Sequence, residues 1–334
     1  MHSLAAPRVS VLWGILAAIF HELHGRRLVV DTVNGPTVER AVLECLAEHY
    51  GLDGRLQRLA GENLNYLVTL KDEHKFVCKI VEQGNPGPAA AVEQAVLDAA
   101  RSGGFPAELP YIRKTNTQKH ETGIKIPING VWSMRVILFV RGNVLDEVSD
   151  ISANMLKNTG KTLARFDAAL AGFDHPALHR THRWSLAEAG RHRRHLPLIE
   201  NAAQRALVSW AFEQWGSARD VLADLPQQVI HGDANPENLL VEGEAITGLV
   251  DLGDCLFTAR ACEPAIAIAY LMMEKEDPLA AANAVFEGYA SVVELDAAER
   301  DVLLPLAGGR LAVTVCMATY RQTLDPGDAN WFVS

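Results

Sequence analysis

Residues 228–254 read Q-V-I-H-G-D-A-N-P-E-N-L-L-V-E-G-E-A-I-T-G-L-V-D-L-G-D and interrupt a stretch of chain that otherwise has helical patterning. Leu239-Leu240-Val241 and Ile246 to Val250 are short apolar runs joined by the polar turn Glu242-Gly243-Glu244, the pattern of a β-hairpin. Its strands must run antiparallel, so Asn238 at the start of the first lies level with Asp251 at the end of the second. An amide oxygen and a carboxylate converging there are hard donors that suit Mg²⁺, which keeps several waters and takes few protein ligands beside substrate phosphates. Pro236 keeps residues 233–238 out of a helix, so Asp233 can face the same point from a loop. One candidate base then stands beside one candidate metal site, Asn238 with Asp251.

Upstream, the character of the chain changes. Thr37 to Tyr50 carries apolar residues at Val38, Ala41, Val42, Cys45 and Leu46, the stripe of an amphipathic helix that Gly51 ends. Asn65 to Leu70 and Lys75 to Val81 flank the turn Lys71-Asp72-Glu73-His74 and read as a second hairpin, with Lys79 inside its second strand. Ala89 to Ala100 has helical composition, and Met134 to Val140 reads as a buried strand. After Arg141-Gly142-Asn143, a candidate linker, helices are expected over Ile151 to Leu170, Trp184 to Glu200 and Ala202 to Leu222. A strand-rich part followed by a helix-rich part predicts an α+β chain with two lobes, divided as an N-terminal extension (1–36), a sheet-bearing lobe (37–140) and a helical lobe (141–334).

Composition narrows the function. The 334 residues are 49% hydrophobic and 22% charged, an ordinary globular balance. Lys plus Arg 31 against Asp plus Glu 41 gives −10, which argues against a duplex-DNA or anionic-membrane surface and is compatible with a cationic or amine-bearing ligand. The five cysteines form an odd count with no C-x-x-C pair, so neither a disulfide scaffold nor a zinc site is indicated, and a reducing cytoplasm is expected. The apolar run Val9 to Phe20 is too short for a bilayer, which takes about 20 residues, and no A-x-A cleavage site follows it. His175, His179, His182, His192 and His195 are interleaved with Arg180, Arg183, Arg191, Arg193 and Arg194; the arginines disfavour a metal, and a solvated basic helix face is expected.

His231-Gly232-Asp233 with Asn238, followed by Asp251-Leu252-Gly253-Asp254, resembles the signature of the aminoglycoside phosphotransferase and choline kinase superfamily, which has a two-lobed protein-kinase-like fold. The resemblance covers residues 37–334. It implies that Asp233 orients the acceptor hydroxyl and takes its proton, that Asn238 and Asp251 hold Mg²⁺ across the phosphates of ATP or GTP, and that His231 braces the loop. It further implies that Lys79 is the strand lysine contacting the α/β-phosphates and that Glu93 is its helix partner. The phosphate-covering loop is expected at residues 60–66, where Gly61 is the single glycine and backbone N–H groups with Asn63 or Asn65 do the cradling.

Glu263-Pro264-Ala265-Ile266-Ala267, Gly172-Phe173-Asp174-His175-Pro176 and Asn330-Trp331 narrow the resemblance to hydroxylysine kinases and to kinase domains fused to pyridoxal-phosphate-dependent aminotransferases or phospholyases. Such relatives usually show Trp-Asp where this chain has Trp184-Ser185, and Asp-x-Asn where it has Asn63-Leu64-Asn65. The resemblance implies hydroxylysine as acceptor, with homoserine, choline or ethanolamine and aminoglycosides as alternatives, and a pyridoxal-phosphate enzyme as a possible partner. Asp254 and Glu263 are candidates for a substrate ammonium, or structural carboxylates paired with arginine. A catalytically silent nucleotide-binding module is the rival class, and the joint presence of Asp233, Asn238 and Asp251 weighs against it, since a binding module needs no base.

Overall fold

The computed structural model describes residues 36–59, 63–82, 89–273 and 275–324. The rest of the N-terminal extension, Gly61 and the Asn330-Trp331 pair lie outside them. Helix α1 (Pro36–Tyr50) buries Val38, Val42, Cys45, Leu46 and Tyr50, the stripe expected from their spacing. That stripe packs with Tyr66, Val68, Cys78, Ile80, Met134 and Val136 in one apolar cluster. These last residues come from an antiparallel sheet built of β1 (Gly54–Leu59), β2 (Leu64–Leu70), β3 (Lys75–Glu82), β4 (Ile112–Arg113), β5 (Thr122–Ile124) and β6 (Trp132–Leu138). The strand order is β1-β2-β3-β6-β4, with β5 also on β6. Phe76, Cys78 and Ile80 of β3 face α1, so by the period of two Lys79 points to the opposite face.

That opposite face meets helix α2 (Ala90–Ser102). Its buried Val92, Val96, Leu97 and Ala100 belong to a second and larger apolar cluster, shared with the helices beyond residue 150. The boundary read at residue 140 is therefore one of topology, while the packing of α2 crosses it. Arg141-Gly142-Asn143 is also more than a linker: β7 (Asn143–Val144) pairs with Val241 and Leu240 of the later hairpin.

The helical half contains α3 (Ala153–Ala169), α4 (Ala202–Arg219), a two-stranded ladder of β8 (Gln227–Ile230) with a later strand, and the hairpin β9 (Leu239–Glu242) and β10 (Ala245–Leu249). The ladder partner is β11 (Leu256–Ala259), after which come α5 (Cys262–Leu271), α6 (Pro278–Ala290) and α7 (Ala297–Leu324). Ser152 and Asn201 cap α3 and α4 through their side-chain oxygens. Gly160 of α3 meets the Val285 carbonyl and Gly288 of α6 meets the Lys157 carbonyl so closely that a Cβ at either position would overlap backbone. Residues 297–323 are the one described helical stretch long and apolar enough to cross a membrane. Of its most apolar window 78% is buried, and α7 packs on α4 and α5 as a core helix.

One expected helix is corrected. Residues 186–198 form successive 3₁₀ turns, with Pro197 removing a donor and Gly190 lying against the Trp215 ring, where a Cβ would clash. His182, His192 and His195 turn inward and are buried, while Arg191, Arg193 and Arg194 are exposed. The solvated basic surface is therefore carried by these arginines on 3₁₀ turns and not by a helix face shared with the histidines. His192 Nε2 bonds the Arg183 carbonyl at 2.7 Å, and His195 lies 4.3 Å from the Tyr320 ring. Burial, the largest cause, pushes His182 down to about 3 and His192 down to about 4, so neither carries charge at neutral pH.

Candidate active site

The hairpin register puts Leu239 opposite Leu249, and the Val250 N–H donates to the Asn238 carbonyl at 3.0 Å. Asn238 and Asp251 therefore sit level at one end of the hairpin. Asp251 itself is left-handed, with φ 58°, a conformation that Asp tolerates better than most residues. Its Oδ1 accepts from the Gly253 N–H at 3.2 Å and helps to hold the turn.

The loop from β8 into this hairpin is braced from beneath. His231 is fully buried; its Nε2 donates to the Val250 carbonyl at 2.9 Å and its Nδ1 accepts from the Asp233 N–H at 3.3 Å, a tautomer assigned from these partners. Gly232 has φ 77°, and a Cβ there would meet the Asp254 carbonyl oxygen and the Leu256 side chain at 2.7 Å, so only glycine fits. Its N–H donates to Glu263 Oε2 at 3.1 Å. Glu263 is completely buried under the loop, so its expected contact with a substrate ammonium is corrected to a structural role. Burial drives its pKa upward, with His231 and the loop N–H groups opposing.

Asp233 is gripped on both oxygens. Arg310 Nη2 donates to Oδ1 at 2.5 Å, while Asn235 Nδ2 and Asn238 Nδ2 donate to Oδ2 at 3.0 and 2.9 Å. Burial raises the Asp233 pKa and the Arg310 guanidinium opposes that rise, with Asp254 and Asp251 adding to it. Asp254 faces the same centre, 3.7 Å from His182 Nδ1, and is pushed upward by burial and by Asp251. Arg310 and Asn235 were not singled out by sequence. Asn235 lies inside the quoted stretch, whereas the sign of Arg310 is a charge set in the apolar run of a core helix.

Across from the hairpin, Lys79 Nζ donates to both oxygens of Asp251, at 2.7 and 3.0 Å. Glu93 does not take Lys79. It bonds Arg135, the residue directly opposite Lys79 on β6, whose longer side chain reaches α2. The expected Lys79–Glu93 pair is thus replaced by two neighbouring pairs, Lys79–Asp251 and Arg135–Glu93. Asn65 lies opposite Lys79 on the other side, so the two side chains share one face of the sheet, and Asn65 Oδ1 has no partner among the described residues. The Asn63 carbonyl is occupied by Arg58 at 3.1 Å.

Asp251 and the carboxamide oxygen of Asn238 could hold a divalent cation. No group of three or more His, Cys, Asp or Glu arranged to hold a metal ion by itself is found among the described residues. Two hard donors fit an ion such as Mg²⁺ that arrives with phosphates and keeps its waters, and do not fit a closed protein cage.

Residues 55–300 match the phosphotransferase enzyme family, APH. The chain belongs to this family. This phosphotransferase is a small-molecule kinase whose acceptor group is a hydroxyl. It is 27% identical to hydroxylysine kinase of Mus musculus over 284 residues, covering 79% of this chain and 75% of that protein. Among solved structures, the amicoumacin kinase hAmiN in complex with AMP-PNP, Ca²⁺ and Ami superposes with a TM-score of 0.66 at 15% identity, covering 84% of this chain and 86% of that one. A microcompartment-associated aminopropanol kinase gives 0.63 at 19% identity, covering 86% and 98%. The two-lobed kinase-like α+β fold expected from sequence is thus the fold of this phosphotransferase.

Proposed function

We propose that this phosphotransferase moves the terminal phosphoryl of ATP or GTP, with Mg²⁺, onto the hydroxyl of hydroxylysine. The observation that carries the reading is the convergence of Asp233, Asn238, Asp251 and Lys79, from a loop, a hairpin and a distant strand, on one point. Phosphoryl transfer asks a protein mainly to position reactants and to neutralise charge, and this set offers both. Asp233 orients the acceptor hydroxyl and receives its proton. Lys79 leaves Asp251 for the nucleotide phosphates, with Asn65 beside it on the sheet; Gly61 and Asn63 are assigned to the phosphate-covering loop by the resemblance alone. Asn238 and Asp251 would hold Mg²⁺, which supplies charge neutralisation between the phosphates.

Hydroxylysine as acceptor is supported by the likeness to the mouse enzyme over most of both chains. Asp254, whose charge acts on Asp233, is the carboxylate that would meet the substrate ammonium. A pyridoxal-phosphate-dependent partner is implied by the resemblance alone. The five cysteines are free and buried, which suits the reducing cytoplasm in which we place the protein.

The test is release of ADP or GDP with Mg²⁺ against hydroxylysine, homoserine, ethanolamine, choline and an aminoglycoside. Release stimulated by hydroxylysine above the others supports the proposal; stimulation by another acceptor replaces the substrate. Bound nucleotide with no stimulation by any acceptor would favour the silent module.

A further inference from the structure

We propose that Arg310 is a positioning residue that fixes the carboxylate of Asp233 in one orientation and leaves a single lone pair open to the acceptor hydroxyl. The inference rests on the reading of Asp233 as the group that meets the acceptor.

Arg310 lies 77 residues from Asp233 in the chain, on the core helix α7, and is 2% exposed. Each arm of its guanidinium has its own acceptor. Nε donates to the Tyr270 hydroxyl at 2.9 Å, Nη1 to the Trp184 carbonyl at 3.0 Å, and Nη2 to Asp233 Oδ1 at 2.5 Å. Its faces are covered as well, with Cζ 5.0 Å from the Trp184 ring centroid and 5.4 Å from that of Tyr270. The Tyr270 hydroxyl is in turn 3.2 Å from Thr314 Oγ1, which donates to the Arg310 carbonyl. A planar cation with three directed bonds and two ring contacts has one orientation, and that orientation is passed to the carboxylate it holds.

An ionised carboxylate offers about four lone-pair sites. Arg310 takes one on Oδ1, and Asn235 and Asn238 take two on Oδ2. One site is left, on Oδ1. The side chain of Asp233 is 14% exposed, so this remaining site can receive a hydroxyl from one direction only. In a transfer governed by alignment, a fixed acceptor direction acts on kcat, whereas a residue that gripped the acceptor itself would act on its KM.

The experiment is steady-state kinetics of the full chain with ATP, Mg²⁺ and hydroxylysine for wild type, Arg310→Ala, Arg310→Lys and Tyr270→Phe, with melting temperatures measured alongside. Arg310→Ala is expected to lower kcat about 100-fold while both KM values stay within about threefold. Added guanidinium is expected to restore part of the lost kcat. Arg310→Lys, which keeps charge without the fork, should fall between wild type and Arg310→Ala. An acceptor KM raised about tenfold or more at unchanged kcat would overturn the proposal and make Arg310 a substrate ligand. Should Arg310→Ala fail to fold, wild-type kcat in both Arg310→Lys and Tyr270→Phe would overturn it equally. Wild type without turnover on hydroxylysine would sink the functional reading itself, a result distinct from an active wild type with unimpaired variants.

Discussion

Lys79 bonds Asp251 through both carboxylate oxygens, joining the centre of the sheet to the end of a hairpin 172 residues further along the chain. The two residues that the resemblance assigns to phosphates and metal are each other's counter-ion in this structure. Under the proposed roles, binding of a nucleotide with Mg²⁺ would exchange this pair for Lys79–phosphate and Asp251–metal contacts. Replacing Lys79 by Met removes the phosphate contact, and a hydrogen bond to a charged group is worth about 1.5–3 kcal/mol. ATP affinity is expected to drop about tenfold or more, read by calorimetry. Undiminished affinity would place the phosphates elsewhere.

The same pair sets an acid limit. Burial works to raise the Asp251 carboxyl, yet the Lys79 ammonium and the Gly253 N–H hold it down to about 2. A carboxylate whose folded pKa lies below its unfolded value contributes stability that is fully present above the usual carboxylate range and is lost as pH falls toward the folded value. The denaturation midpoint is expected to fall between about pH 4 and pH 2, and to fall less steeply in Asp251→Asn. Identical slopes for the two proteins would remove this pair from the acid limit.

Asp251→Ala and Asp233→Asn should separate binding from chemistry. Asp251→Ala is expected to abolish the Mg²⁺-dependent part of nucleotide binding, and an affinity that still responds to Mg²⁺ would take Asp251 out of the metal site. Asp233→Asn should bind nucleotide nearly as wild type does.

A close helix contact yields a stability prediction away from the site. At Gly288 a Cβ would overlap the Lys157 carbonyl of the neighbouring helix, so Gly288→Ala must push α3 and α6 apart. Overpacking of this kind costs about 1–3 kcal/mol, and the upper end is expected here because backbone, and not a movable side chain, is the obstacle. A melting temperature lowered by several degrees with unchanged KM would agree; an unchanged melting temperature would show that the contact is looser than the structure has it.

The parts of the fold legible in sequence are those fixed by local pattern. The stripe of α1, the hairpin carrying Lys79 and the hairpin that brings Asn238 level with Asp251 follow from periodicity and turn residues over a few positions. What escaped was set by contacts between distant segments. Glu93 goes to Arg135 because of cross-strand register, and the histidines of residues 182–195 are buried because 3₁₀ turns replace a helix. Arg310 acts on Asp233 from an element with no motif of its own. An arginine amid apolar neighbours in a long helix signals a buried counter-charge, but periodicity does not say which carboxylate supplies it.

The most direct test of the central claim is the mass of the acceptor after incubation with ATP, Mg²⁺ and the enzyme, beside an Asp233→Asn control. Hydroxylysine is expected to carry one added phosphoryl group, formed about 100-fold more slowly by the variant. Phosphorylated product formed at the same rate by Asp233→Asn would contradict the assignment of Asp233, and hydroxylysine left unmodified by the wild type would contradict the proposed acceptor.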